Sequence, residues 1–231
     1  MNPLIFTHFF ILNEFCFYDN PLKIDTNFSR NSVVVNRKSV IESLPKIPHD
    51  FITLPSGKVV PCGTILQRPL KFLSFQDSFL HHEGVVIGTT ANQEEIILEM
   101  NDLPNNGINK VNLKSFLSTY DSSHLKINYE PSILIDKSDL LSRAKKIDFH
   151  PYILTEFNCI DFAQWLVFAK RSCSFKEKQF EKCDELISLH EAILSDTLDA
   201  KQKSKTLKDL DRVIVRKESL RNEINLLIAR L

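Results

Sequence analysis

The chain has 231 residues, 43% of them hydrophobic and 25% charged, and its 29 basic and 29 acidic side chains give a formal net charge of +0. That length holds one well-buried domain with an appendage, or two small domains, and the composition excludes wholesale disorder, a collagenous repeat and a membrane bundle. Balanced charge supplies no field that would draw the protein onto nucleic acid or an anionic lipid surface.

The first stretch, MNPLIFTHFFILNEFCFYDN, is apolar but is interrupted by Thr7, His8, Asn13 and Glu14. It lacks a basic leader region and a small-residue cleavage site, and it falls short of the roughly 20 residues needed to cross a bilayer. A buried strand or an interfacial segment is expected there, in a cytoplasmic chain. Residues 1–60 mix apolar runs with turn formers and read as a strand-and-loop extension with one helix over 39–44. Residues 61–173 sharpen into strands followed by helices, predicting an α+β domain: an antiparallel sheet with helices packed on one side. Residues 174–231 hold no Gly or Pro after Phe175, and apolar residues recur at helical spacing, so a C-terminal helical hairpin is predicted with its turn over 196–204. Its apolar stripe needs a cover, which either the middle domain or a second chain can supply.

Within the middle region, Val85-Val86-Ile87 closed by Gly88 reads as a buried strand with His82 near its start, and Ile96 to Met100 as its hairpin partner across an Ala91-Asn92-Gln93 turn. Alternation puts Glu95, Ile97 and Glu99 on one face and Ile96, Leu98 and Met100 on the other. Glu99 can then face His82, depending on a register the loop does not fix. A further helix starts near Ser138, capped by Asp136 or Ser138. The last helix of this region begins at Cys159, with Asn158 as its N-cap and Ile160, Ala163, Leu166 and Val167 at helical spacing. A helix N-terminus favours thiolate over thiol, and a His within reach would accept the proton.

The five Cys are Cys16, Cys62, Cys159, Cys173 and Cys183. An odd count without a CxxC pair fits neither a disulfide framework nor a structural zinc site, so reduced thiols are expected. The four besides Cys159 read as structural. His81 competes with His82 for the role of base. His49, His124, His150 and His190 read as surface or loop residues. Tyr152, Phe162 and Trp165 are candidates for lining a substrate pocket, with packing as the simpler reading of Tyr152 and Trp165, and the apolar side chains of 72–80 read as pocket wall or core. No phosphate-binding glycine loop, zinc spacing or nucleic-acid motif occurs, so chemistry without a metal or cofactor is expected.

The order Gly63-Thr64-Ile65-Leu66, then His82-Glu83-Gly84-Val85-Val86-Ile87-Gly88, then a hairpin, then Tyr152-x-Leu154 leading into Asn158-Cys159-x-x-Phe162-Ala163-x-Trp165, resembles the lecithin:retinol acyltransferase-like family. That family belongs to the circularly permuted, papain-related superfamily that also contains NlpC-type peptidases, in which the His precedes the Cys. The resemblance covers about residues 60–172. It implies a permuted papain-like fold, a nucleophile at Cys159, a general base at His82, an oxyanion site at the helix start formed by Asn158 and Cys159, and acyl transfer or hydrolysis through a thioester. The family's second polar residue on the hairpin strand would be Glu99 here, and Asp161 stands where the acyltransferases have His. The implied partner is an acyl-bearing lipid or a peptide or amide substrate. The alternative reading is an inactive binding module of the same fold that engages a protein partner, or a second copy, through the C-terminal helices.

Overall fold

The computed structural model describes residues 38–69, 81–101, 107–118, 120–153, 156–195 and 199–230. The expectations for the N-terminal apolar stretch, Cys16, the apolar run 72–80 and Leu154 fall outside these. Lys38–Leu231 forms one compact unit.

The strands are β1 (Phe51–Thr53), β2 (Val59–Pro61), β3 (Ile65–Pro69), β4 (His81–Thr89), β5 (Glu95–Asn101), β6 (Gly107–Val111) and β7 (Lys126–Tyr129). The helices are α1 (Leu113–Leu117), α2 (Lys137–Lys146), α3 (Cys159–Phe168), α4 (Ser174–Ser195) and α5 (Ala200–Arg230). β1 and β2 pair as a small hairpin, and the other strands form an antiparallel sheet in the order β6-β5-β4-β3-β7. β4 lies at its centre, and every residue of it except His81 is buried. It is longer than the apolar run that announced it, because a strand with sheet on both sides and helices above and below keeps even its polar residues from water.

Two apolar layers hold the sheet. Ile65, Val85, Leu98, Met100 and Ile108 meet α2 and α3 through Leu140, Ala144, Phe162, Ala163 and Leu166. On the opposite face Leu66, Val86 and Ile97 meet Leu113, Phe116 and Leu117 of α1, together with Ile52 and Val60 of the β1–β2 hairpin. The expected one-sided helical layer is therefore α2 and α3, and the short α1 covers the other face. Burying each such Leu, Ile or Phe is worth about 1.5–3 kcal/mol, so both layers contribute substantially to holding β4 in place. Ile47 joins the first core and Ile52, Leu54 and Val60 the second. The folded unit thus begins upstream of residue 61, where the sequence pattern put the boundary.

Glycines admit two of these approaches. A Cβ at Gly84 would stand 2.7 Å from the Phe116 ring and 2.8 Å from Ile97 Cγ2, so only glycine lets α1 sit this close to β4. Gly88 has φ +142, and a Cβ there would meet His49 O at 2.0 Å. Residues 40–43 form a turn rather than the expected helix. Their backbone is taken up by Asp148, which accepts from Val40 N at 3.3 Å and also from the Ser39 hydroxyl.

The C-terminal hairpin is present as predicted, with α5 resuming at Ala200. Lys176 pairs with Glu223 and Lys217 with Asp184, which fixes α4 and α5 as antiparallel. Cys183, Leu186, His190, Val213 and Leu220 fill the seam. His190 is thus a buried seam residue whose Nδ1 lies 2.6 Å from Leu186 O, correcting its surface assignment. Among the described residues, no helix is long and apolar enough to cross a membrane.

Candidate active site

Asn158 is extended (φ −117, ψ −172), and its Oδ1 accepts from Ile160 N at 2.9 Å and Asp161 N at 3.4 Å. Asp161 Oδ2 accepts in return from Asn158 N at 3.1 Å, completing a capping box. Cys159 is consequently the first residue of α3, at the positive end of the helix dipole. Its own N–H is not among those Asn158 caps. The Asn158 side chain is spent on the cap and on Ser174, to whose Oγ its Nδ2 donates at 3.2 Å. Both the backbone N–H and the side chain of Asn158, one of the two residues expected at an oxyanion site, are therefore engaged within the protein. Asp161 is fully buried, and its other oxygen accepts from Ser174 N at 2.7 Å and Ser172 Oγ at 2.9 Å. Burial raises its carboxyl pKa against these hydrogen bonds. It fastens the start of α4 to the start of α3, an architectural role where the resembling family carries a His.

Ladder register decides the next two residues. β4 pairs Gly84 with Glu99 and Val85 with Leu98. Glu99 therefore shares the face of Gly84 and His82, and its neighbour Leu98 points into the opposite core with no exposed surface. His82 Nε2 and Glu99 Oε2 lie 2.9 Å apart, with the two residues 2% and 5% exposed. Phe116, seated over Gly84, covers the imidazole with ring centroids 5.8 Å apart. The His82 ring is also within side-chain hydrogen-bonding reach of Cys159, whose Sγ lies 3.9 Å from His81 O. Burial alone would lower the imidazole pKa; hydrogen bonds and charge from Cys159 and Glu99 outweigh it and push it up to about 9. The structure thus brings Cys159, His82 and Glu99 together. His81 turns to the other face, with Nε2 3.8 Å from Glu83 Oε1, and burial followed by Lys178 and Lys126 lowers its pKa.

The three pocket candidates are packing residues. Phe162 has no exposed surface and lies in the first core, so it lines no pocket, contrary to expectation. Trp165 Nε1 donates to Arg143 O at 3.1 Å, and its ring lies 5.8 Å from the Arg171 guanidinium. Tyr152 packs, half-buried, on the same core. Cys62, Cys173 and Cys183 are buried. Burial is the main cause pushing Cys62 up to about 12 and Cys173 up to about 11, which suits inert, structural roles.

Sequence reasoning passed over two residues beside the site. Glu83 is 1% exposed; its Oε1 accepts from Asn128 Nδ2 at 2.7 Å and Gln67 Nε2 at 3.4 Å, and its Oε2 is buried without a partner. Burial pushes its carboxyl up to about 7 against those hydrogen bonds. Arg68 is the cross-strand partner of His82. The available signal was alternation: a strand buried on both faces carries every charged residue indoors. Among the described residues no group of three or more His, Cys, Asp and Glu is placed to hold a metal ion. Comparison with family models, curated proteins and solved structures finds no match to this chain.

Proposed function

We propose that the protein is a cysteine-dependent acyl enzyme, an acyltransferase or thiol hydrolase acting on an ester or amide without a cofactor. The observation that carries this reading is the buried relay of Cys159, His82 and Glu99, with the imidazole held at 2.9 Å by a carboxylate on one side and reaching the sulfur on the other. A protonated imidazole beside the sulfur stabilises a thiolate, which is the nucleophile. Cys159 attacks the substrate carbonyl carbon, and the carbonyl oxygen takes the negative charge beside the Cys159 N–H. On collapse the bond to the leaving alcohol or amine breaks, His82 gives that group its proton, and a thioester remains on Cys159. Water or a second acceptor, deprotonated by His82, attacks the thioester, releases the acyl product and returns the thiolate. Glu99 fixes the ring's orientation and stabilises the imidazolium. Reduced thiols suit this chemistry, and a reducing compartment suits the thiols.

The test is interception of the intermediate. Rapid quenching with a series of acyl p-nitrophenyl esters and thioesters, read by intact-protein mass, should add one acyl mass to Cys159 in the native protein and none to Cys159→Ala. Acyl adducts that appear equally in both proteins, or only on other thiols, would contradict the reading.

A second reading, a binding module acting through the C-terminal helices, draws on the exposed apolar residues of α5: Val215 at 70%, Leu226 at 59%, Leu207 at 45% and Ile214 at 42%. It predicts that substitutions on α5 abolish function in the cell while Cys159→Ala leaves it intact.

A further inference from the structure

We infer that Arg68 is a specificity residue that receives an anionic group, a carboxylate or phosphate, on the substrate of the Cys159 site. This deepens the acyl-enzyme reading and rests on it. Antiparallel register sets Arg68 directly opposite His82 on the same face of the sheet, at the end where β3 stops and β4 begins. One ring ties the two together: Phe116 lies 5.8 Å from the His82 ring and 5.6 Å from the Arg68 guanidinium carbon, and Tyr120 takes a second position 6.0 Å from that carbon. The guanidinium is thereby held against two aromatic faces and cannot swing freely into water.

Among the described residues its charge is not answered. Arg68 is half-buried, its Nη1 donates to Pro69 O at 3.3 Å, and its Nε is buried with no partner. Among the described residues no carboxylate pairs with it. The acid on the same face, Glu99, is engaged with His82 instead. The part of the guanidinium that is removed from water keeps its favourable energy only with an acceptor in place. A fixed, unpaired fork one cross-strand step from the imidazole is arranged to take two oxygens of an anion in bidentate fashion. An oxyanion bound there would lie close enough to the imidazole to orient a short acyl chain toward the sulfur.

Charge-matched alkylating agents read this directly, with or without a known substrate. Iodoacetate and iodoacetamide, and 3-bromopropionate and its amide, differ in each pair by a carboxylate against a neutral carboxamide. Their rates at Cys159 would be followed by peptide mass in the native chain, in Arg68→Met, which keeps the apolar stem, and in Arg68→Lys, which keeps the charge. The anion-to-amide rate ratio should fall about tenfold or more in Arg68→Met with the neutral reagent little changed, and should be largely restored in Arg68→Lys. Acetate and inorganic phosphate, added as competitors of the neutral reagent, identify the preferred oxyanion by which of them protects Cys159 in the native chain only. An anion-to-amide ratio unchanged in Arg68→Met would overturn the assignment and leave the acyl-enzyme reading standing. Cys159 labelling that is no faster than that of the buried structural thiols, with either reagent, would overturn both.

Discussion

The end of the sheet that carries Cys159 and the C-terminal hairpin use charge in opposite ways. On the hairpin, Lys217–Asp184, Arg221–Glu218 and Arg212–Asp209 lie on or near the surface, where water competes for each partner. At the sheet end, His82, Glu83, Glu99 and Asp161 are at most 5% exposed, and each is held by named hydrogen bonds. Polar groups taken out of water are costly unless satisfied, so a concentration of them around one helix start marks the region where stability is least easily explained by packing alone. The hairpin needs its charges for solubility and pairing; the sheet end has no such need of them.

That contrast breaks most readily at Glu99. Glu99→Ala leaves His82 buried beside Phe116 without its carboxylate, and urea titration at pH 6 should register a loss of about 3 kcal/mol. The imidazole's pKa is raised from 6.5 to about 9 in the folded chain, so the stabilisation from its partners is fully present below pH 6.5 and is lost as pH rises through 9. The penalty of the variant should shrink correspondingly by pH 10.

Glu83 runs in the same direction over a lower pH range, but there the shift reflects a burial penalty rather than a partner's stabilisation. Its folded carboxyl holds a proton up to about pH 7, whereas its ordinary value is 4.5, so the folded state binds more protons between those limits and stability declines as pH rises through them. Glu83→Gln should flatten that decline and raise stability at pH 8 by about 2 kcal/mol in the same titration. A pH profile identical to the native one would mean that the buried carboxylate is already satisfied.

Next in size is Asp161→Ala, which removes half of the capping box and the link to Ser172 and Ser174. A loss of about 1–2 kcal/mol is expected, with faster amide exchange concentrated in the first turns of α3 and α4. The smallest effect belongs to the hairpin: Lys217→Ala should cost less than about 1 kcal/mol, and that loss should diminish in high salt. A hairpin pair that proved as costly as Glu99 would erase the distinction between the two regions.

Much of this was legible in the residues themselves. Asn158 before an apolar 3.6-residue repeat announces a capped helix with Cys159 at its head, and the Gly- and Pro-free tail announces two helices. Glu99 was legible only as a choice, because alternation sorts it from Leu98 but the register that turns it toward His82 is set by the shift between Val86 and Gly88, without which Met100 would stand opposite Gly84, and no composition rule specifies that shift. Arg68 and Glu83 were illegible for a different reason. Glu83 lies on β4, buried on both faces, and Arg68 on its neighbour β3; such strands suspend the usual inference that charged residues point to water, and only their short alternation hinted at it. Phe162 was misread because one face of α3 serves both to present Cys159 and to fill the core.

The central claim, that His82 and Glu99 activate Cys159, is tested most directly by the rate at which a small electrophile labels each thiol across pH 5 to 10. The account predicts that Cys159 reacts fastest of the described thiols at pH 7 and that His82→Ala slows it by about a hundredfold or more while Cys62 and Cys173 stay unreactive. Equal, slow labelling of every thiol, unchanged by His82→Ala, would contradict it.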